Sequence, residues 1–389
     1  MRVKIVIAID AFKESVTSLQ AGEAVRSGVL AVMPEANVDV FPLADGGEGT
    51  VEAMTTVLEG QTISAQVTGP LGEQITAQYG IIPQQKIAVL EIQQAAGLMM
   101  VSQEKRNPMN TTTYGVGEII RHAMDLGYRK FIVGLGGSAT NDSGLGMLEA
   151  LGFRFLDDQG SQVGPYGRDL EQVAHVDLSG ADPRLQQCVF ELACDVSNPL
   201  CGSNGASAVF GPQKGADPQM VSRLDKALGH FAEVTQRAVG KSLAEEPGAG
   251  AAGGLGFAFM SYLDTTLRPG IQTVIQAVGL EEAIKDADYV VTGEGRLDAQ
   301  TAMGKAPMGI AQLAKKYRKT VIALAGSVLD SAAACNNVGI DSFFSVLQTP
   351  ISLQEAMREE TALKNIEMTA RQIFYLIRAL QEDRKPNPI

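Results

Sequence analysis

No stretch of this sequence approaches the roughly 18 to 20 consecutive apolar residues that a helix needs to cross a bilayer, so a membrane-embedded protein is not expected. Positive charge is in deficit. The 32 lysines and arginines are outnumbered by 44 aspartates and glutamates, for a net charge of −12. This argues against nucleic acid or an anionic membrane as partner, because both are held through a positive field. Any site for phosphate must then be locally basic. Cysteine is scarce, and Cys188, Cys194, Cys201 and Cys335 form no C-x-x-C pair. With an opening that runs straight into a strand-like segment and no signal-peptide pattern, this predicts a soluble protein in a reducing, cytoplasmic setting. The histidines, His122, His175 and His230, lack metal-ligand spacing and read as structural or surface residues. A Walker A motif is missing, since Gly304-Lys305 is followed by Ala306 with no hydroxyl for a metal ion. Gly248-Ala249-Gly250-Ala251-Ala252-Gly253 matches the dinucleotide fingerprint in letters only. The preceding Ala244-Glu245-Glu246-Pro247 cannot be the strand that fingerprint requires.

What is present describes a compact α/β protein. At 389 residues the chain exceeds what one core usually serves, and its 42 glycines imply many tight turns. Val3 to Ile9 is an apolar, β-branched strand. Ser18 then reads as the N-cap of a helix carrying Leu19, Val25, Val29 and Val32. Asn37 to Leu43 is a second strand, turned by Gly46, Gly47 and Gly49 into a helix through Val51, Met54 and Val57. After Gly60 the rhythm changes to short alternating strands, Ile63 to Val67, Ile75 to Tyr79 and Ile87 to Glu91, which suggests a different sheet. Strands at Phe131 to Leu135 and Val189 to Cys194 follow. The α/β rhythm returns with Tyr289 to Thr292, Val321 to Ala325 and Phe343 to Leu347. Ser352 and Glu355 form a capping box for a closing helix that carries Met357, Ile366, Ile373 and Ile377. The expected architecture is a Rossmann-like parallel-sheet domain built from both chain ends, 1–70 and 285–389, interrupted by a second mixed α/β domain, 71–284, with a ligand cleft between them.

In open parallel sheets ligands bind beyond the carboxyl ends of the strands, and those positions are polar here. One strand ends at Asp10, followed by Lys13 and Glu14. Another runs into Ala44-Asp45-Gly46-Gly47-Glu48-Gly49-Thr50, and a third into Thr292-Gly293-Glu294-Gly295-Arg296-Leu297-Asp298. Carboxylates beside glycines suit Mg²⁺-nucleotide chemistry: the ion takes one or two carboxylates plus phosphate oxygens, and glycine lets backbone N–H groups approach the phosphates. Lys13, Arg296 and Lys305 are candidates to neutralise a transferring group. Turn or capping duty is the competing reading for Asp45 and Asp298. A middle set follows, in which Gly136, Gly137, Ser138, Thr140, Asn141 and Asp142 offer N–H groups and hydroxyls at a helix start, as an anion requires. Asp195 and Asn198 follow a further strand. Lys214, in Gly211-Pro212-Gln213-Lys214-Gly215, reads equally as a ligand or as a solvated surface lysine.

Taken in order, Asp10-x-x-Lys13-Glu14-Ser15, Ala44 to Thr50, Gly136 to Asp142, Gly211 to Gly215, Gly248 to Gly256 and Gly293-Glu294-Gly295-Arg296 resemble the bacterial type I glycerate kinases. The likeness runs from about Val3 to about Leu380. The resemblance implies ATP- and Mg²⁺-dependent phosphorylation of D-glycerate to 2-phosphoglycerate, in glyoxylate or sugar-acid catabolism. On that footing Asp10 or Asp195 takes the hydroxyl proton, and Lys13, Lys214 and Arg296 bind the glycerate carboxylate and the phosphoryl group. Asp45, Glu48, Glu294 and Asp298 stand on the metal side, while the Gly136 to Asp142 loop and Gly253 and Gly254 face the nucleotide phosphates. The family commonly has proline and serine flanking the first aspartate, where this chain has Ile9 and Ala11. A kinase of another small hydroxy-acid and a non-catalytic sugar-acid or nucleotide sensor are the competing readings. ADP release with glycerate discriminates against the sensor.

Overall fold

The computed structural model describes residues 2–44, 46–241, 243–299, 301–303 and 306–382. Along the chain the strands are β1 (Lys4–Ile7), β2 (Asn37–Val40), β3 (Gln61–Thr68), β4 (Gln74–Ile82), β5 (Ile87–Glu91), β6 (Lys130–Gly134), β7 (Arg154–Leu156), β8 (His175–Asp177), β9 (Val189–Ala193), β10 (Thr265–Arg268), β11 (Tyr289–Leu297), β12 (Thr320–Val328) and β13 (Ser342–Ser345). The chain divides into two compact units. One comprises Met1–Asp45, Glu52–Val57 and Val274–Ile389, and the other Gly46–Val51 and Leu58–Thr273.

The first unit holds an all-parallel sheet in the order β13-β12-β11-β1-β2. Its inner strands are buried and therefore read as apolar, β-branched runs. Ile5, Ile7, Val291, Ile322 and Leu324 pack with Val25 and Val29 of the Ser18–Leu30 helix and Ile366 and Phe374 of the Glu359–Glu382 helix. Those two helices cross at Gly28, where a Cβ would lie 2.4 Å from the Glu367 carbonyl oxygen.

Three local expectations are corrected here. The N-cap is Thr17, whose side chain accepts from Gln20 N–H while the Gln20 side chain accepts from Thr17 N–H. Ser18 instead donates to the Ile9 carbonyl at 2.5 Å and accepts from Leu43 N–H at 2.7 Å, tying β1 to the segment after β2. Ser352 caps only the single turn Leu353–Ala356, and the closing helix starts at Glu359. Finally, Gly293 to Leu297 is not a loop. β11 continues through it, pairing Glu294 with Ala325 and Arg296 with Ser327 of β12. Glycine serves close approach there, since a Cβ on Gly293 would lie 2.0 Å from the Leu324 carbonyl oxygen.

The second unit holds a six-stranded mixed sheet, β10-β9-β6-β5-β4-β3, parallel from β10 to β5 and antiparallel beyond. β3 pairs with β4 from Gln61↔Ile81 to Thr68↔Gln74, so residues 61–68 travel with this sheet. Phe131 and Phe190 stack at 4.8 Å on neighbouring strands, and Phe190 meets Phe259 of the Ala251–Tyr262 helix. β7 and β8 form a separate two-stranded ribbon.

Candidate active site

In the first unit, β1 delivers Asp10 to the carboxyl edge beside β11, and the Asp10 N–H donates to the Gly293 carbonyl at 2.9 Å. The half-buried Asp10 accepts the Ala11 N–H on Oδ1 at 2.8 Å. The chain then folds back on itself, with Phe12 and Val16 exchanging two backbone bonds of 3.0 Å around exposed Lys13 and Glu14. Glu14 takes a left-handed φ of 63°, a costly conformation for a residue with a side chain. On β11 Glu294 is buried, and its Oε1 accepts the Thr301 hydroxyl at 2.6 Å. Exposed Arg296 lies 3.5 Å from Asp298, which also accepts the Thr301 N–H at 3.3 Å. Strand register thus brings Asp10, Glu294 and Arg296 to one edge. Asp45 and Lys305 lie outside the described residues.

In the second unit, Gly46 to Thr50 lies over the carboxyl ends of β5, β6 and β9. A Cβ on Gly134 would fall 2.3 Å from the Gly46 carbonyl oxygen, and one on Gly46 would fall 2.8 Å from Ala193. Val51 N–H donates to Glu91 Oε1 at 2.8 Å. Burial and the nearby charge of Glu48 push the Glu91 carboxyl upward, against its bonds from Val51, Gln93 and Gly49.

Within the Gly136 to Asp142 segment, Ser138 to Asp142 are buried while Gly137 is exposed. Asp142 Oδ2 accepts from both the N–H and the hydroxyl of Thr113 at 2.7 Å, and Asn141 Nδ2 donates to Ser207 at 2.8 Å. Desolvation raises the Asp142 carboxyl despite those bonds. Gly253 and Gly254 close over this loop. Ser143 N–H donates to the Gly253 carbonyl at 3.0 Å, and a Cβ on Gly253 would fall 2.0 Å from the Thr140 carbonyl oxygen. Thr140 Oγ1 and Asn141 Oδ1 are buried with no hydrogen-bond partner among the described residues, a costly state for a polar atom.

Lys214 is 2% exposed, which overturns the surface-lysine reading. Its Nζ donates to Ser138 Oγ at 2.9 Å and to the Thr140 carbonyl at 2.6 Å. Burial pushes the amine down to about 7, while the charge of Asp142 pulls it the other way. The unfolded chain, with a lysine near 10.5, binds the proton between about pH 7 and 10.5 where the folded one releases it, so this group makes stability rise with pH across that window. The stability difference between wild type and Lys214→Met in urea denaturation should therefore grow from pH 7 to 9, with a slope of up to about 1.4 kcal/mol per pH unit. A flat difference would contradict a neutral buried amine.

Asp195 and Asn198 use their side chains elsewhere, although the Asn198 carbonyl accepts the N–H of Gly250 at 2.9 Å, three residues before Gly253. Exposed Asp195 accepts the N–H of Gly270, the first residue of the Gly270–Ala277 helix, at 2.9 Å, and Asn198 bonds the Asn204 carbonyl at 2.7 Å within its own loop. Sequence reading passed over Glu91, although it ends a recognised strand and the strand-end rule applies to it as it does to Asp10. Thr301 was missed too, and the Asp298-x-x-Thr301 spacing is its signal. No three His, Cys, Asp or Glu side chains gather as a metal cage among the described residues. Glu294 within β11 and Asp298 just past its end are the carboxylates of this edge that could hold a magnesium ion together with phosphate and water.

Both α/β units carry polar, glycine-bearing segments at or near their strand ends, and the sequence has no Walker A motif. The model of the Glycerate kinase family matches residues 5–378, and the chain belongs to that family. It is 48% identical to a glycerate kinase of Halalkalibacterium halodurans over 95% of this chain and 97% of that one. It is also 48% identical to the glycerate 2-kinase of Escherichia coli K12, over 91% of this chain and 93% of that protein. A crystal structure from Salmonella typhimurium LT2, provisionally named glycerate kinase 2, superposes with a TM-score of 0.90 at 45% identity, covering 98% of this chain and all of that one. Among the described residues, no helix is long and apolar enough to cross a membrane.

Proposed function

We propose that this protein transfers a phosphoryl group from ATP to the 2-hydroxyl of D-glycerate in the cytoplasm, using Mg²⁺, and so feeds a glyoxylate or sugar-acid route. The near-full-length likeness to a protein named for transfer to the 2-position carries this reading. Phosphoryl transfer asks the protein for positioning and charge stabilisation more than for covalent chemistry. Asp10 is the proton acceptor for the hydroxyl, because it shares its sheet edge with Glu294 and Arg296, whereas Asp195 is engaged at a helix start. Lys13 and Arg296 neutralise the anionic groups. Glu294 and Asp298 are the carboxylates of the first unit that would hold a magnesium ion, which when bound would neutralise phosphate charge, and Asp45 and Glu48 are the other metal-side candidates of the sequence. Ser138, Thr140 and Asn141, ordered by Lys214 and Asp142, serve the nucleotide phosphates, and Gly253 and Gly254 give that loop its shape.

The test is a coupled assay with Mg²⁺-ATP and D-glycerate in which enolase is present and phosphoglycerate mutase is omitted. Prompt enolase signal is the expected result, since enolase accepts 2-phosphoglycerate directly. ADP release without that signal assigns the 3-position instead, and no ADP release removes glycerate as substrate.

A further inference from the structure

Glu91 is a buried carboxylate, 5% exposed, to which the mechanism above gives no part. Burying such a group is costly unless its oxygens are bonded, and both are. Oε1 accepts Val51 N–H at 2.8 Å, at the exit of the Gly46 to Thr50 loop, and Gly49 N–H also bonds this carboxylate. Oε2 accepts Gln93 Nε2 at 3.1 Å. The other end of that amide abuts the second loop, since a Cβ on Gly137 would lie 2.4 Å from Gln93 Oε1. Directly, the two loops share one long hydrogen bond, from Gly136 N–H to the Gly46 carbonyl at 3.4 Å, and close backbone packing, with a Cβ on Gly136 falling 2.8 Å from Gly47 Cα. One carboxylate and one amide therefore span from the loop carrying Glu48 to the loop carrying Ser138, Thr140 and Asn141.

We propose that Glu91 and Gln93 are positioning residues, a brace that sets the spacing of these two loops and so of the groups that serve the nucleotide phosphates and their metal ion. This rests on the nucleotide-side reading of both loops. A displacement of about 1 Å in groups that hold a reacting phosphate costs up to about 100-fold in rate, so a brace remote from the chemistry has kinetic consequences. Carboxylate is the fitting end group at position 91, because two backbone donors and one amide donor converge on it and only an acceptor-rich group takes all three.

The experiment measures KM for Mg²⁺-ATP and for glycerate, and kcat, in Glu91→Ala, Glu91→Gln, Gln93→Ala and Glu48→Ala, with thermal melts alongside. Expected are a rise of about 10-fold or more in KM for Mg²⁺-ATP in Glu91→Ala, little change in KM for glycerate, and a smaller rise in Glu91→Gln, which keeps an oxygen for Val51 but gives up the acceptor for Gln93. Gln93→Ala, which leaves the Glu91 to Val51 bond in place, shows a smaller rise in the same constant and carries the test should Glu91→Ala not fold. A lowered melting temperature with unchanged Michaelis constants in the Glu91 and Gln93 variants overturns the proposal and leaves a merely structural pair. If Glu48→Ala raises KM for Mg²⁺-ATP while those variants do not, the brace alone fails. If Glu48→Ala changes nothing either, the reading of the loop fails, and the brace with it.

Discussion

Asp10→Asn should lower kcat by about two to four orders of magnitude while leaving the fold intact. Asparagine matches aspartate in shape and keeps an oxygen for the Ala11 N–H, so the turn after β1 survives. It cannot take a proton at neutral pH. The loss belongs in kcat, with the Michaelis constants changing by less than about threefold, because the interaction removed is one that strengthens only as the hydroxyl attacks. Asp195→Asn is the paired control. Asparagine still accepts the Gly270 N–H and is about as good as aspartate at a helix start. Turnover within about threefold of wild type is expected there. A collapse of kcat in the Asp195 variant with an active Asp10 variant would exchange the two assignments, and full activity in both would remove strand-end aspartate from proton transfer altogether.

Gly253→Ala should destabilise the second unit by about 4 kcal/mol or more. Two independent costs add at this position. Gly253 has a φ of 69° between Ala252 at 53° and Gly254 at 90°, a left-handed run that a side chain resists. The added Cβ would also meet the Thr140 carbonyl oxygen at 2.0 Å, and that oxygen is pinned from its other side by Lys214 at 2.6 Å. Neither backbone can retreat cheaply. Denaturation followed by circular dichroism reads the effect directly. A midpoint within experimental error of wild type would mean that the Thr140 to Ser143 loop yields, contrary to its dense bonding. The same geometry explains why a literal dinucleotide fingerprint occurs here without a dinucleotide site: the glycines admit a neighbouring loop of the protein.

Much of this was legible in the sequence where a single physical signal acts alone. β1, β3, β4, β5, β6 and β9 follow from short β-branched or alternating runs between turn residues, because burial on a sheet demands them. The departures come where two signals compete. Gly293 and Gly295 read as a turn, yet β11 runs through both, and the missing side chains of Gly293 on β11 and Gly326 on β12 are what allow the two strands to pair closely. Thr17 and Ser18 are both capable caps, and only the Ile9 and Leu43 backbone, brought near by the sheet, decides that Ser18 is occupied elsewhere. The Pro218–Val239 helix was passed over although Asp217, Pro218 and Gly240 are a complete start and stop signal. At the candidate site, the strand-end rule singled out Asp10, which does follow β1, and Glu294, which lies within β11 and not beyond it. The condition of Lys214 was not legible, because its burial depends on Ser138, 76 residues away.

The pairing of β1 with β11 bears on how the chain matures during synthesis. The Lys4 N–H bonds the Asp288 carboxylate at a separation of 284 residues. β1 and the helix after it leave the ribosome long before β11, and the strand that β1 pairs with on one side emerges only after the whole six-stranded sheet of residues 61–268. Domains generally fold as units while the chain is made, and here the middle of the chain is the earliest unit able to finish. Long-range parallel pairing is also intrinsically slow, so the apolar run of β1 must wait with Ile5, Val6 and Ile7 unburied. That interval, rather than any weakness of the finished structure, is when nascent copies of this protein are most exposed to aggregation and to chaperone capture.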